Sequence, residues 1–250
     1  MDTLHTNWAQ STQDKDYLKK YLQSLSLFSG QEDLLLSQFA EKAIYSQLDV
    51  GESLFFQDDP LNNFYVILSG WIKVYRTTQD GNDSVFDILT GSQLCGETAI
   101  LDGDHYSFTA TVIEKAEVLK IPATILNNAI KNNNQMAFAM LKTVSRYRKQ
   151  QTREIESLTL QNASQRIGCY LLRLCRIGVP QPVVLKLPYD KSMIAARLGM
   201  RPETFSRALN KLRQQTNVRI EGGVVTVPTI DTLSEFSCGA CSSEYPCADL

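Results

Sequence analysis

A chain of 250 residues with 43% hydrophobic content is long enough for about two domains with real cores. Its first twenty residues hold no apolar signal-peptide core, and no apolar run approaches the ~18 residues of a membrane span, so a cytoplasmic protein with no membrane partner is expected. The net charge of −2 conceals an asymmetry: residues 163–227 hold eleven Lys or Arg against three Asp or Glu, a net of +8, which leaves −10 for the remainder and fits contact with a polyanion through one end only.

Residues 17 to 45 read as short helices, with Leu25, Phe28, Leu34, Leu35 and Phe39 as apolar faces. From Leu48 to Pro122 short β-rich runs take over: Ser53–Phe56, Asn63–Leu68, Ile72–Tyr75, Val85–Leu89, Thr109–Ile113 and Glu117–Ile121. Turn signals such as Asp58-Asp59-Pro60, Ser69-Gly70, Asp80-Gly81 and Thr90-Gly91 separate them. Many short strands at such spacing predict a sandwich or jelly-roll barrel. A long helical stretch then runs from Ala123 to Gln161, where Ala137, Leu141, Val144, Ile155 and Leu158 keep a seven-residue frame. Arg148 and Gln151 interrupt that frame, and two copies are expected to pair along it as a short coiled coil.

Asn162-Ala163-Ser164 reads as a joint, followed by a helix from Ser164 to Arg176 with Ile167, Leu171 and Leu174 inward. Residues 187 to 212 then read as helix, tight turn, helix. Met193, Ile194 and Leu198 line one side of the first helix, Gly199 takes the left-handed turn, and Pro202 opens the second helix. Phe205, Leu209 and Leu212 face inward, leaving Arg201, Glu203, Thr204, Ser206, Arg207 and Lys211 outward. An exposed second helix of this kind is the sequence form of a DNA-reading helix-turn-helix. Val218–Ile220 and Val224–Val227 around Glu221-Gly222-Gly223 read as a β-hairpin wing. The domains expected are therefore a sensor barrel with flanking helices (17–122), a dimerisation helix (123–161), a winged helix-turn-helix (162–230) and a cysteine-containing tail (231–250).

Cys238, Cys241 and Cys247 are spaced Cys-x2-Cys-x5-Cys, and the tight turn lets two thiolates face one metal centre. A zinc site and a thiol–disulfide switch fit the same residues. Cys169 and Cys175 sit in an otherwise apolar helix and read as structural. The only histidines, His5 and His105, are too few for a cupin-like metalloenzyme. An electron-carrier reading leaves the basic helix-turn-helix unexplained.

Barrel, long helix and winged helix-turn-helix, in that order from Leu25 to Val227, resemble the cyclic AMP receptor and fumarate–nitrate reductase regulator (CRP/FNR) superfamily. The resemblance implies an α+β chain: an amino-terminal cyclic-nucleotide-binding-like β jelly-roll barrel, a long dimerisation helix and a carboxy-terminal winged helix-turn-helix. Leu94-Cys95-Gly96-Glu97-Thr98-Ala99-Ile100 is similar to the Gly-Glu turn of that barrel, with Gly96, Glu97, Tyr106 and Ser107 in the effector region. Cyclic-AMP members carry an arginine shortly after this turn to pair with the phosphate. Here Tyr106-Ser107-Phe108 stands there, and a phenol cannot supply that charged clamp, so cyclic AMP is not expected.

Glu203-Thr204-Phe205-Ser206-Arg207 is similar to the Glu-x-x-Ser-Arg signature of FNR-type regulators. It implies a transcription regulator, not an enzyme, binding a TTGAT-like inverted repeat in double-stranded DNA as a homodimer and working with RNA polymerase. Glu203 can accept from a cytosine amino group, Arg207 can grip guanine O6 and N7, and Ser206 can meet a base edge or a thymine methyl. Arg201, Thr204, Lys191, Lys211 and Arg219 are the candidates for phosphate contacts. FNR proteins carry a cysteine triplet that binds an oxygen-sensitive [4Fe–4S] cluster, so the resemblance implies such a cluster on Cys238, Cys241 and Cys247 and a response to oxygen, nitric oxide or redox state. The family's fourth cysteine falls at Leu119 here, and Cys95 is the candidate substitute, with a carboxylate or an external thiol as alternatives. Haem is the other signal carrier implied, with His105 beside the effector region.

Overall fold

The computed structural model describes residues 8–12, 14–81, 83–175, 180–186, 191–221, 223–239 and 247. The chain divides into two compact units, Met1–Ser145 and Arg146–Leu250. The first opens with helices α1 (Trp8–Ser11), α2 (Lys15–Ser24) and α3 (Asp33–Lys42). Asp14 caps α2 by accepting from the backbone N–H of Asp16 (2.9 Å) and Tyr17 (3.2 Å), which satisfies two donors the helix cannot. Leu18 and Leu22 of α2 and Leu36, Phe39 and Ala40 of α3 recur at helical spacing and are buried.

Strands β1 (Ile44–Leu48), β2 (Ser53–Phe55), β3 (Asn63–Thr77), β4 (Asp83–Leu89) and β5 (Leu94–Cys95) follow, then a one-turn helix α4 (Ala99–Asp102) and strand β6 (Thr109–Pro122). β3 and β6 pair antiparallel along most of their length, with β1 and β2 added on β6 and β4 and β5 on β3. This is the expected all-antiparallel barrel, with two corrections. Asn63–Leu68 and Ile72–Tyr75 are one strand, as are Thr109–Ile113 and Glu117–Ile121. Ser69-Gly70 is therefore an irregularity inside β3 and not a turn between strands. Gly70 holds φ +82°, and a Cβ there would collide with the backbone carbonyl of Lys115 on β6, so only glycine fits.

The barrel interior is packed by Phe55, Tyr65, Ile67, Ile72, Val112 and Val118 among others. A second core joins the helices to the end of the barrel. There Phe28, Phe39 and Phe64 meet with ring centroids 4.9 to 6.5 Å apart, tying α3 to β3. Leu34 departs from expectation: it is 72% exposed while Leu25, Phe28 and Phe39 are buried.

The predicted single helix 123–161 is two, α5 (Ala123–Asn132) and α6 (Asn134–Leu160). Asn133 breaks it, with extended φ and ψ, and its side-chain oxygen accepts from the N–H of Met136. The 27 residues of α6 extend about 40 Å and cross the boundary between the two units.

In the second unit α7 (Ala163–Leu174) opens with a capping box. Asn162 accepts from the N–H groups of Ser164 and Gln165, and the Gln165 side chain accepts from the N–H of Asn162. Strand β7 (Val183–Lys186), helices α8 (Lys191–Arg197) and α9 (Pro202–Thr216), and strands β8 (Arg219–Glu221) and β9 (Val224–Val227) follow. β8 and β9 form the expected wing, and β7, which was not predicted, adds to β9. The tail assigned to 231–250 begins instead as helix α10 (Ile230–Cys238), which buries Ile230, Leu233 and Ser237. α10 packs on α7 so closely that a Cβ on Gly168 would overlap Ser237.

Candidate nucleic-acid interface and effector region

α8 and α9 are joined by a tightly closed elbow. Gly199 at φ +62° lets its N–H reach the carbonyl of Ala196 (3.1 Å), while the N–H of Met200 reaches Ala195 (2.9 Å). This satisfies the last carbonyls of α8 and fixes the angle into α9. Arg201 is the N-cap residue and Pro202 the first helical residue. Phe205, Ala208, Leu209 and Leu212 are buried, as the spacing requires, and hold α9 against α7 and α8.

The opposite side of α9 presents Arg201, Glu203, Thr204, Ser206, Arg207 and Lys211, all exposed, with Lys191 exposed at the start of α8 and Arg219 on β8. Glu203 and Arg207 are four residues apart, yet no ion pair joins them among the described residues. Of this set only the Ser206 side chain is engaged among the described residues; its hydroxyl donates to the Pro202 carbonyl at 3.0 Å and keeps its acceptor lone pairs. The helix thus shows a carboxylate, a hydroxyl and a guanidinium on one exposed surface, with further cations around it. That is what reading base edges and neutralising phosphates demands.

In the barrel, Gly96 at φ +85° turns the chain beneath the rings of Phe55 and Tyr106. Tyr106 is buried, stacks on Phe55 at 3.7 Å between centroids, and donates its hydroxyl to the Asn63 carbonyl (2.5 Å). Loss of solvation pushes the Tyr106 hydroxyl above its ordinary value. Glu97 is buried beside this cluster. Ser107 is half-buried, and its carbonyl accepts from Arg76 Nε at 2.5 Å. The residue standing for the arginine clamp is therefore a packing element engaged with its own barrel.

Cys95 lies on β5 opposite Tyr65, inside the barrel core. Burial pushes its thiol well above the ordinary value, and the charges of Glu97 and Asp87 add to this. Cys95, the candidate fourth ligand, is thus a buried residue packed in the barrel core. Cys175 is also buried, with its thiol pushed up by burial, which fits the structural role read from sequence; Cys169 is half-buried. Cys238 ends α10 half-buried, Cys247 is half-buried, and Cys241 lies outside the described residues. Among the described residues no three His, Cys, Asp or Glu side chains converge on a metal-sized point. His105 is exposed and bridges Pro60 through the backbone, while His5 lies outside the described residues.

Sequence reasoning missed the side of α6 that meets the DNA-binding unit. Glu154 binds Arg197 of α8 and lies 3.7 Å from Arg173 of α7. Gln161 and Ser237 were also missed, although Ile230, Leu233 and Ser237 keep a helical period that signals α10.

A barrel of this kind, a long helix and a winged helix-turn-helix define the class: a DNA-binding regulator. Two families match, the cyclic nucleotide-binding domain over residues 46–133 and the Crp-like helix-turn-helix domain over residues 165–236. The chain accordingly belongs to the CRP/FNR family of DNA-binding transcription regulators. It is 28% identical over 83% of its length to the cyclic AMP receptor protein of Thermus thermophilus, covering 92% of that protein. It is 28% identical over 75% of its length to the fumarate and nitrate reduction regulatory protein of Salmonella typhi, covering 76% of that protein. The fold is shared with FixK2 of Bradyrhizobium japonicum, at a TM-score of 0.71, 20% identity, and coverage of 80% of this chain and 99% of that one.

Proposed function

We propose that this regulator is of the FNR type: a homodimer that reads a TTGAT-like inverted repeat and takes its signal from a redox-responsive group on the carboxy-terminal cysteines. The observation that carries the DNA reading is the exposed face of α9, where Glu203 and Arg207 have no protein partner among the described residues. Two such helices in one dimer would enter successive major grooves, with Arg201, Thr204, Lys191, Lys211 and Arg219 on phosphates. Contact with RNA polymerase follows from the family resemblance.

Three thiols within ten residues suit three ligands of a [4Fe–4S] cluster, with the fourth from Cys95, a carboxylate or an external thiol, of which the burial of Cys95 favours the latter two. Cys238, Cys241 and Cys247 would hold it, and when bound it would supply a centre that reacts with oxygen or nitric oxide. Tyr106, engaged with Phe55 and Asn63, supports the reading that cyclic AMP is not the effector. The test is anaerobic purification with iron and sulfide counts, alongside titration of an inverted TTGAT duplex before and after air. About four iron and four sulfide per chain, lost with tight binding in air and absent in Cys241→Ser, is the expected result. Specific binding with no iron would retain the DNA reading and move the signal to zinc, thiols or haem. No specific binding in any redox state would end the proposal.

A further inference from the structure

Glu154, Ser157 and Leu158 stand at i, i+3 and i+4 on α6, so they share one side of the helix, and Gln161 follows its last residue. Each meets the DNA-binding unit or leads to a residue that does. Glu154 Oε1 accepts from Arg197 Nη2 and also lies 3.7 Å from Arg173 Nη1. Leu158 lies over the α8–α9 elbow, because a Cβ added to Gly199 would come 3.5 Å from its Cδ2. Ser157 donates to Gln161 Oε1 (2.6 Å), and the buried Gln161 donates to the Ser237 carbonyl of α10 (3.1 Å).

We infer that Glu154 is a positioning residue for DNA recognition, fixing the recognition helix to the dimer helix through Arg197; this rests on the regulator reading above. The Arg197 side chain is 13% exposed and Glu154 26%, so water and salt screen the pair less than a surface ion pair. Arg197 ends α8 two residues before the Gly199 elbow, and that elbow transmits any shift of α8 to α9. One carboxylate oxygen serves guanidinium groups from α7 and α8 together. Neutralising it leaves two cations side by side, and their repulsion opens the contact that sets the direction of α9.

What Glu154 controls is then the separation and angle of the two recognition helices, not the chemistry each offers to a base. Inserting one base pair between half-sites rotates one of them about 35° and moves it about 3.4 Å along the axis. A clamped dimer cannot follow; a loosened one can.

The experiment first selects the preferred site of the wild-type protein from random duplex DNA. Binding is then measured on that site, on versions with one base pair inserted or removed between half-sites, and on a single half-site. Wild type is expected to lose about tenfold or more on the altered spacings, and Glu154→Gln less than about threefold, with base preference and half-site affinity unchanged. Glu154→Asp restores discrimination. Arg197→Gln, which approaches the same contact from the other side, decides the matter if Glu154→Gln does not fold by thermal melting. Spacing discrimination equal to wild type in the folded variants overturns the clamp alone, as does a uniform loss on every duplex including the half-site. A wild-type protein that selects no two-fold site overturns both the clamp and the regulator reading.

Discussion

Arg207 and Glu203 show at the scale of single residues how an exposed charge differs from a structural one. An i,i+4 pair closed on itself is worth about 0.2–0.5 kcal/mol, and here it is open, so both groups remain available to bases. Arg207→Ala is expected to weaken specific binding by about 1–3 kcal/mol and to relax preference at one base pair. A titration against single-base variants of the site checks this; unchanged preference would contradict it. Glu117 illustrates the structural kind. Partial burial pushes its carboxyl up, but donation from Tyr45 (2.5 Å), Ser69 (2.7 Å) and Gln47 (3.3 Å), with Lys115 nearby, outweighs this and holds it below the ordinary 4.5. Tyr45 is pushed up to about 12, by lost solvation first and by donating to Glu117 second. A carboxyl lowered in the folded state stabilises fully above its unfolded value, and the benefit is lost as pH falls through the folded one. The melting temperature of wild type should therefore exceed that of Glu117→Gln at neutral pH. The gap should close as pH drops below the ordinary 4.5.

Among the elements, α6 has the most unpartnered apolar surface. Its first half buries Met136, Ala139, Met140 and Thr143, while Leu141 (63% exposed) and Ile155 (65%) stand out with Val144 and Leu158 in the seven-residue frame. Such a stripe on a helix is a seam awaiting another helix. Ile155→Glu places a charge in that seam and should give a monomer by sedimentation at concentrations where wild type is a dimer. A dimer of unchanged strength would remove α6 from the interface. Elements whose periodicity governs their packing were legible in the sequence: α9 through Phe205, Leu209 and Leu212, and the wing through its glycines. The breaks were less so. Gly70 looks the same in sequence whether it serves a turn or a strand irregularity, and only the closeness of Lys115 distinguishes them. Asn133 ends α5 by a local side-chain bond that leaves the apolar pattern around it undisturbed. α10 was hidden because the cysteine cluster that begins at its last residue, Cys238, reads as a tail, although Leu233 and Ser237 pack on α7.

For the whole molecule, the exposed face of α9 was readable because a recognition helix must be apolar behind and polar in front. The effector region was readable only as a position, since neither the stacking of Tyr106 on Phe55 nor the burial of Cys95 follows from spacing along the chain. The contact between α6 and α8 joins residues 43 apart in sequence and leaves no periodic trace. The exposed stripe of α6 has a consequence for the cell as well as for the fold. Subunits that meet only through a reversible seam obey mass action, so below the dissociation constant the amount of dimer rises as the square of the amount of chain. Under the proposed function, a signal that tightened or loosened the seam would move the copy number at which promoters fill, and the cell's rate of synthesis of this protein would become a second input to the same switch.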